Sequence, residues 1–221
     1  MTGQACCILH NYKKGDIIKL GRCAGLPVEW TVLDTEATRV LLLANDVLDV
    51  KPYSSTYIKT TWAESSLICT LLTGCPVKRV HITLRKYLND VFFKEVFSKQ
   101  EREKIDSVKL DNENRGNRLD IDGAGESDKV FCLSVEEAEK YFQNDSERKA
   151  KATEYAKSKV GEDDLTYFID KETGAARWWF RSQGTDSGTA ATIGGAGWIN
   201  YEGIYVNYLS VGVRPALCMK C

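Results

Sequence analysis

The sequence predicts a mixed protein of the α+β class. Short alternating segments separated by turn residues come first, helix-start signatures occupy the middle, and large aromatics with β-branched residues return at the end. The 221 residues suffice for one large domain or two small ones. No repeat of solenoid period is present.

The front of the chain reads as three strands. Asp16-Ile-Ile-Lys-Leu20, Val28-Glu-Trp-Thr-Val-Leu33 and Arg39-Val-Leu-Leu-Leu-Ala44 are punctuated by Gly25, Pro27 and the polar Asp34 to Thr38. That pattern predicts hairpins of one sheet. Thr61-Trp-Ala-Glu64 is a capping box and predicts a helix start. Leu84, Tyr87, Leu88 and Val91 recur at helical spacing, so an amphipathic helix from Leu84 to about Val91 is expected to bury that stripe. On this reading Lys78-Arg79 and Arg85-Lys86 form the wet face of a helix rather than a phosphate site. Ser98-Lys-Gln-Glu101 opens a short helix to Ile105. Ser134-Val-Glu-Glu137 opens another through Tyr141 and Phe142, with Leu133 and Ala138 as staple. Asp111 to Asp128 is nearly free of large apolar residues and reads as a long loop. Its Asp120-x-Asp122-Gly123 lacks the terminal Glu of a calcium loop. Trp178, Trp179 and Phe180 put three large rings in succession; a strand sends them to both faces, so at least one face must be core.

Composition excludes several function classes. Thirty Lys and Arg against thirty-one Asp and Glu leave a formal net charge of −1, which gives no electrostatic footprint for nucleic acid. No apolar run reaches transmembrane length, and Met1 to His10 lacks the basic start and apolar centre of a signal peptide, so the chain is expected to be cytoplasmic as synthesised. The eight cysteines are scattered without a framework spacing, which suits a reducing compartment. Cys132 reads as a small core hydrophobe. Cys6, Cys7 and His10 together with Cys218 and Cys221 are candidate soft-metal ligands should the two ends of the chain meet; the alternative is a pair of termini with free thiols. His10 and His81 are the only histidines, neither beside a nucleophile, and no phosphate loop or hydrolase motif occurs. No catalytic residue and no cofactor is expected, and Asp163-Asp164 reads as solvated.

The most informative stretch is the last. Between Gln183 and Ser210 glycines permit repeated reversal of the backbone, and the other side chains are amide, hydroxyl, carboxylate and aromatic. Gln183, Thr185, Asp186, Ser187, Trp198, Asn200, Tyr201, Glu202, Tyr205, Asn207, Tyr208 and Ser210 are the candidate ligand-binding residues. Tyr and Trp give large contact area at low entropy cost, while Ser, Asn and Gly adapt their hydrogen bonds, as in an antibody paratope. The same composition also suits an ordinary glycine-rich β-meander with exposed polar residues.

The order Gly15-Asp-Ile-Ile18, Glu29-Trp30-x-Val-Leu33, Thr61-Trp62, Leu84-Arg-Lys-Tyr-Leu-Asn89, Phe97-Ser98, Asp128-Lys-Val-Phe-x-Leu-Ser134, Trp178-Trp-x-Arg-Ser182, Ala190-Ala191 and Gly212-Val-Arg-Pro-Ala-Leu217 resembles a bacterial domain family of unknown function. That family has a C-type-lectin-like fold, related to the formylglycine-generating enzymes and to the variable proteins of diversity-generating retroelements. The resemblance runs from about residue 13 to 217, leaving 1–12 as a tail before a single domain, 13–221. It implies antiparallel sheets in which the first and last strands pair, two flanking helices, and a ligand face made by the loops before the last strand. Asn200, Tyr201, Tyr205, Asn207 and Tyr208 stand where diversified members vary. Trp178, Trp179, Gly212, Val213 and Pro215 would be frame, and Arg181 and Arg214 would orient loops.

Two departures qualify it. Residues 68–83 look like an insertion, and Trp198-Ile-Asn200 supplies at most a fragment of a calcium-lectin motif. The copper-binding cysteine pair of the enzyme branch is not recognisable, since Cys218 and Cys221 are expected to follow the last frame strand. The function implied is binding of a protein or cell-surface ligand, with loops open to retroelement diversification. The alternatives are a metal-dependent oxidase using Cys218 and Cys221, and a structural, phage-associated module. Oligomeric state is not encoded in any motif.

Overall fold

The computed structural model describes residues 12–55, 62, 83–110 and 127–220. The three predicted strands form: β1 (Ile17–Cys23) runs past its predicted end, β2 (Leu26–Thr35) runs past both predicted limits, and β3 (Arg39–Ala44) has the predicted limits. β1 and β2 are joined through Ala24 and Gly25, both with positive φ (48° and 81°), the backbone sign that matches strand twist in a two-residue hairpin turn. Ile18 faces Trp30 and Val32 faces Leu42. The sheet is completed by β9 (Ala216–Lys220), which lies against β3 with Leu42 opposite Leu217, in the order β1-β2-β3-β9. The last strand therefore pairs with the third and not with the first. Burial explains the choice: β3 and β9 are almost wholly buried, whereas β1 exposes Ile17 and Arg22 and suits an edge.

A second sheet of five strands has the order β4-β8-β5-β6-β7, formed by β4 (Asp49–Val50), β8 (Gly212–Val213), β5 (Trp178–Gln183), β6 (Thr189–Ile193) and β7 (Ile199–Tyr205). Only the β5–β8 contact is parallel. The chain passes between the sheets twice, after β3 and after β8, and the two crossings are stitched together by Ala44 N to Pro215 O and Leu48 N to Val213 O, each 2.9 Å. Arg214 sits at this junction, buried, donating from Nε to Ala44 O (2.8 Å) and from Nη1 to Arg148 O (3.1 Å), with its guanidinium 5.2 Å from a Trp178 ring. Burial pulls its pKa down to about 10. Arg214 thus joins the two sheets rather than orienting a loop.

Trp178, Trp179 and Phe180 are all fully buried, so both faces of β5 are core. Trp178 packs edge-on against Phe180, while Trp179 meets Tyr53 and donates to Lys51 O at 2.9 Å. Gly212 and Val213 are buried beside them as expected of frame.

Helix α1 comprises Leu84–Lys86, a π-helical turn Tyr87–Phe92 and Phe93–Val96. Its buried stripe is Leu84, Leu88, Phe92 and Val96, and Val91 is 37% exposed, so the predicted stripe and end are corrected. The wider π turn keeps residues four apart in line, where a regular helix would rotate them off the core. Arg85 is another correction. It is buried, not wet, and donates from Nε to Asp128 Oδ1 at 2.8 Å; Trp62 Nε1 donates to Oδ2 of the same carboxylate at 2.9 Å. Asn89 closes the network by accepting from Lys129 N (2.8 Å) and donating to Val130 O (3.0 Å).

Both later capping boxes form. Ser98 starts α2 (Lys99–Lys104) and Ser134 starts α3 (Val135–Tyr141), with Leu133 and Ala138 buried at the staple positions. Three further short helices, α4 (Asp145–Arg148), α5 (Glu154–Lys157) and α6 (Glu162–Phe168), carry too few turns to show a period in the sequence. Most of the Thr61 capping box, residues 68–82 with Lys78 and Arg79, and Asp120 to Gly123 lie outside the described residues.

Candidate functional site

The stretch from Gln183 to Ser210 is less loop than its composition suggests, because half of it is the β6–β7 hairpin. β6 is wholly buried and β7 is the edge strand of its sheet. Thr185, Asp186, Trp198, Tyr201, Glu202, Tyr205 and Asn207 are exposed; Gln183, Ser187, Asn200 and Tyr208 are half-buried. Ser210 is buried and donates to Asp164 Oδ2 at 2.9 Å, so it leaves the face, and Asp164 is not merely solvated.

The segments do come together. Thr185 N donates to Glu202 O (3.1 Å) and Val206 N to Gly188 O (3.0 Å), which lays the turn after β5 alongside β7. Tyr201 leans onto α3 and donates to Glu139 Oε1 at 2.7 Å. Trp198 covers Gly194, whose added Cβ would stand 2.6 Å from the indole.

Asn200 has a structural task. β7 carries extra residues opposite the Ala190 to Thr192 stretch of β6, and the bulge is braced by Asn200, which donates to Gly203 O (3.3 Å) and accepts from Gly203 N (3.2 Å). Gly203 has φ 83°, and a Cβ there would stand 2.6 Å from Ala190 O. At the hairpin tip Gly197, φ 95°, passes so close to Asp145 that a Cβ would meet its carbonyl oxygen at 2.0 Å, and Arg148 Nε holds Gly197 O at 2.9 Å. These glycines serve close packing as much as reversal.

Tyr208 packs against Tyr167 of α6 in a tilted contact with centroids 4.9 Å apart, and the Arg177 guanidinium lies 4.3 Å from the Tyr167 centroid. Leu209, beside Tyr208, is 69% exposed. Sequence reasoning did not include Tyr167, Arg177 or Leu209 in the face. Leu209 was the available signal, a large apolar residue in a polar, aromatic stretch.

Two clefts lie elsewhere, and no residue of 183–210 lines either. One, about 170 Å³, is bordered by Asp34, Arg39, Glu137, Tyr141, Arg181 and Cys218. Most of its charges are already engaged internally: Arg181 with Glu137 and Cys132 O, Arg39 with Glu36, and Asp34 with Lys140 and the Tyr141 hydroxyl. Arg181 thereby fixes α3 to β5. The other, about 540 Å³, runs between the β1–β2 hairpin and α5 and includes Cys23, Leu26, Asp46 and Tyr155.

Cys218 lies within β9 and not after the last strand. Burial pushes the thiols of Cys218 and Cys23 up to about 11 and that of Cys132 to about 12, so all three are protonated at neutral pH. Among the described residues no group of three or more His, Cys, Asp or Glu is placed to hold a metal ion. Cys6, Cys7, His10 and Cys221 lie outside them. No helix among the described residues is long and apolar enough to cross a membrane.

Fold and site define a mixed α and β protein with two antiparallel-rich sheets and an aromatic sheet edge. The chain belongs to a family described as a domain of unknown function (DUF6273), whose model matches residues 81–221. The match takes in α1 through β9 and leaves β1 to β4 outside it. No curated protein and no solved structure matches the chain.

Proposed function

We propose that this protein is a non-enzymatic binding module of C-type-lectin-like fold, whose ligand face runs along β7 and the turns beside it. One observation carries the reading. Among the described residues, nine large apolar side chains are exposed, and four of them, Trp198 (44%), Tyr201 (46%), Tyr205 (59%) and Leu209 (69%), fall within twelve residues of one sheet edge. Concentrated exposed apolar and aromatic area marks an interaction surface, whereas scattered single residues do not. The face is borne on a strand and lines neither cleft, which suits a protein or cell-surface ligand better than a small molecule. The buried aromatics of β5 and the wholly buried β6 are also what a scaffold tolerant of surface change requires.

The test compares wild type with Tyr201→Ala/Tyr205→Ala as bait in the native host. A partner held by wild type, lost by the double variant and unaccompanied by a fall in melting temperature supports the reading; equal capture by both overturns it. Retroelement diversification is a separate part of the proposal. It requires an adenine-rich near-copy of the codons for residues 183–217 beside a reverse transcriptase gene, and without both the reading reduces to generic binding. No observation favours the oxidase alternative, since Cys218 is a buried strand residue.

A further inference from the structure

Arg177 differs from every other arginine among the described residues. Arg39, Arg85, Arg148 and Arg181 donate to carboxylates, and Arg22, Arg102 and Arg214 donate to carbonyl oxygens. Arg177 has no such acceptor among the described residues: its Nε is buried and unbonded, as is that of Arg181, but unlike Arg181 it has no acceptor at its terminal nitrogens either, and it enters no ion pair. Arg177 is half-buried and its terminal nitrogens are not among the buried unbonded atoms, so they are the donors open to an acceptor from outside the chain.

The side chain is also held in position. The Arg177 backbone is fixed by bonds to Phe168 O and from Gly212 N, each 2.9 Å, and its guanidinium stacks 4.3 Å from the Tyr167 centroid, which in turn packs on Tyr208. The Ser210–Asp164 hydrogen bond clamps the same two segments a little further on. Leu209 (69% exposed) adjoins Tyr208, so apolar surface lies beside the packed rings. A stacked arginine keeps its donor fork pre-oriented, and Arg with Tyr is the usual make-up of an interface hot spot.

We propose that Arg177, on its Tyr167–Tyr208 platform, is the recognition point for a single carboxylate, an acidic side chain of a protein ligand flanked by large apolar residues. The inference rests on the binding reading and adds the partner's chemistry and its point of attachment.

Blocked peptides acetyl-Leu-Glu-Leu-amide, its Gln counterpart and its Lys counterpart are titrated to millimolar concentration into the whole chain uniformly labelled with 15N, so that arginine Nε and backbone amide resonances are followed together. The Glu peptide is expected to shift the Arg177 Nε resonance saturably and to bind about tenfold more tightly than the Gln peptide, as one charge-assisted hydrogen bond implies; the Lys peptide should leave that resonance unmoved. Arg177→Gln should remove the Glu over Gln preference with little change in melting temperature, and Arg177→Lys, which keeps charge but not the fork, should retain only part of it. Equal affinity for Glu and Gln peptides, no movement of Arg177, or a preference surviving in Arg177→Gln overturns the proposal. Peptides that shift only the β7 amides would sink the Arg177 site while leaving the β7 face standing. An Arg177 response with no effect of Tyr201→Ala/Tyr205→Ala on partner capture would do the reverse.

Discussion

The division of energy between frame and face can be tested with one pair of substitutions, Trp178→Ala and Tyr205→Ala. Trp178 is fully buried, packs on Phe180 at 4.9 Å and under the Arg214 guanidinium, and donates from Nε1 to Arg148 O at 3.3 Å. Its removal leaves a large cavity at the junction of the two sheets and deprives Arg214 of an aromatic neighbour. The expected cost is roughly 3–5 kcal/mol. For a domain of this size that corresponds to a fall in Tm of about 6–20 °C. Tyr205 is 59% exposed on the edge strand, so Tyr205→Ala should cost less than about 1 kcal/mol and lower Tm by less than about 4 °C. Calorimetry on both variants supplies the stabilities, and binding isotherms with a captured partner supply the other axis, on which Tyr201→Ala or Tyr205→Ala should lose on the order of 2 kcal/mol. If Tyr205→Ala melts as early as Trp178→Ala, the edge of the second sheet is core and the face has been misplaced.

Other perturbations probe the supports of this arrangement. Gly203→Ala forces a side chain into positive φ against Ala190 O and should cost about 1–3 kcal/mol by chemical denaturation. Asn200→Ala should cost about 1–2 kcal/mol through the bulge; an unchanged denaturation midpoint would return Asn200 to the pool of pure ligand residues. Asp128→Ala strands the buried Arg85 and should cost about 3–5 kcal/mol, whereas Arg85→Met/Asp128→Leu should cost clearly less, a comparison a double-mutant cycle decides. Glu101 titrates low in the folded chain: burial raises its pKa, but hydrogen bonds from Ser98 and from Gly21 N outweigh it. A depressed carboxylate contributes stability that is present above its unfolded value of 4.5 and lost as pH falls through the folded value. Denaturation midpoints should therefore drop below pH 4.5, and Glu101→Gln should flatten that drop; an identical pH profile in the variant would remove Glu101 from the account.

Local chemistry made part of the protein legible without coordinates. A capping box needs only its four residues, so Ser98 to Glu101 and Ser134 to Glu137 were readable, as were the alternating strands β1 to β3 and the buried Trp178-Trp-Phe run. The physical cause in each case acts within a few residues. What escaped depends on partners distant in the chain. Arg85 looks like a surface charge until Asp128 is placed beside it, 43 residues later. Asn200 looks like a ligand residue until the β7 bulge gives it Gly203 to brace, and Ser210 looks exposed until α6 brings Asp164 to it. Cys218 looked like a tail residue because the length of β9 is set by β3, the strand it pairs with. The face shows both sides of this division. Its tyrosines, tryptophan and amides were visible as composition. Which of them face solvent was decided only by a buried β6 and an edge β7, because exposure is a property of the packed sheet and not of the side chain. The same packing stacked Arg177 on Tyr167 and left its guanidinium without an internal acceptor, a juxtaposition that no local pattern in the sequence encodes.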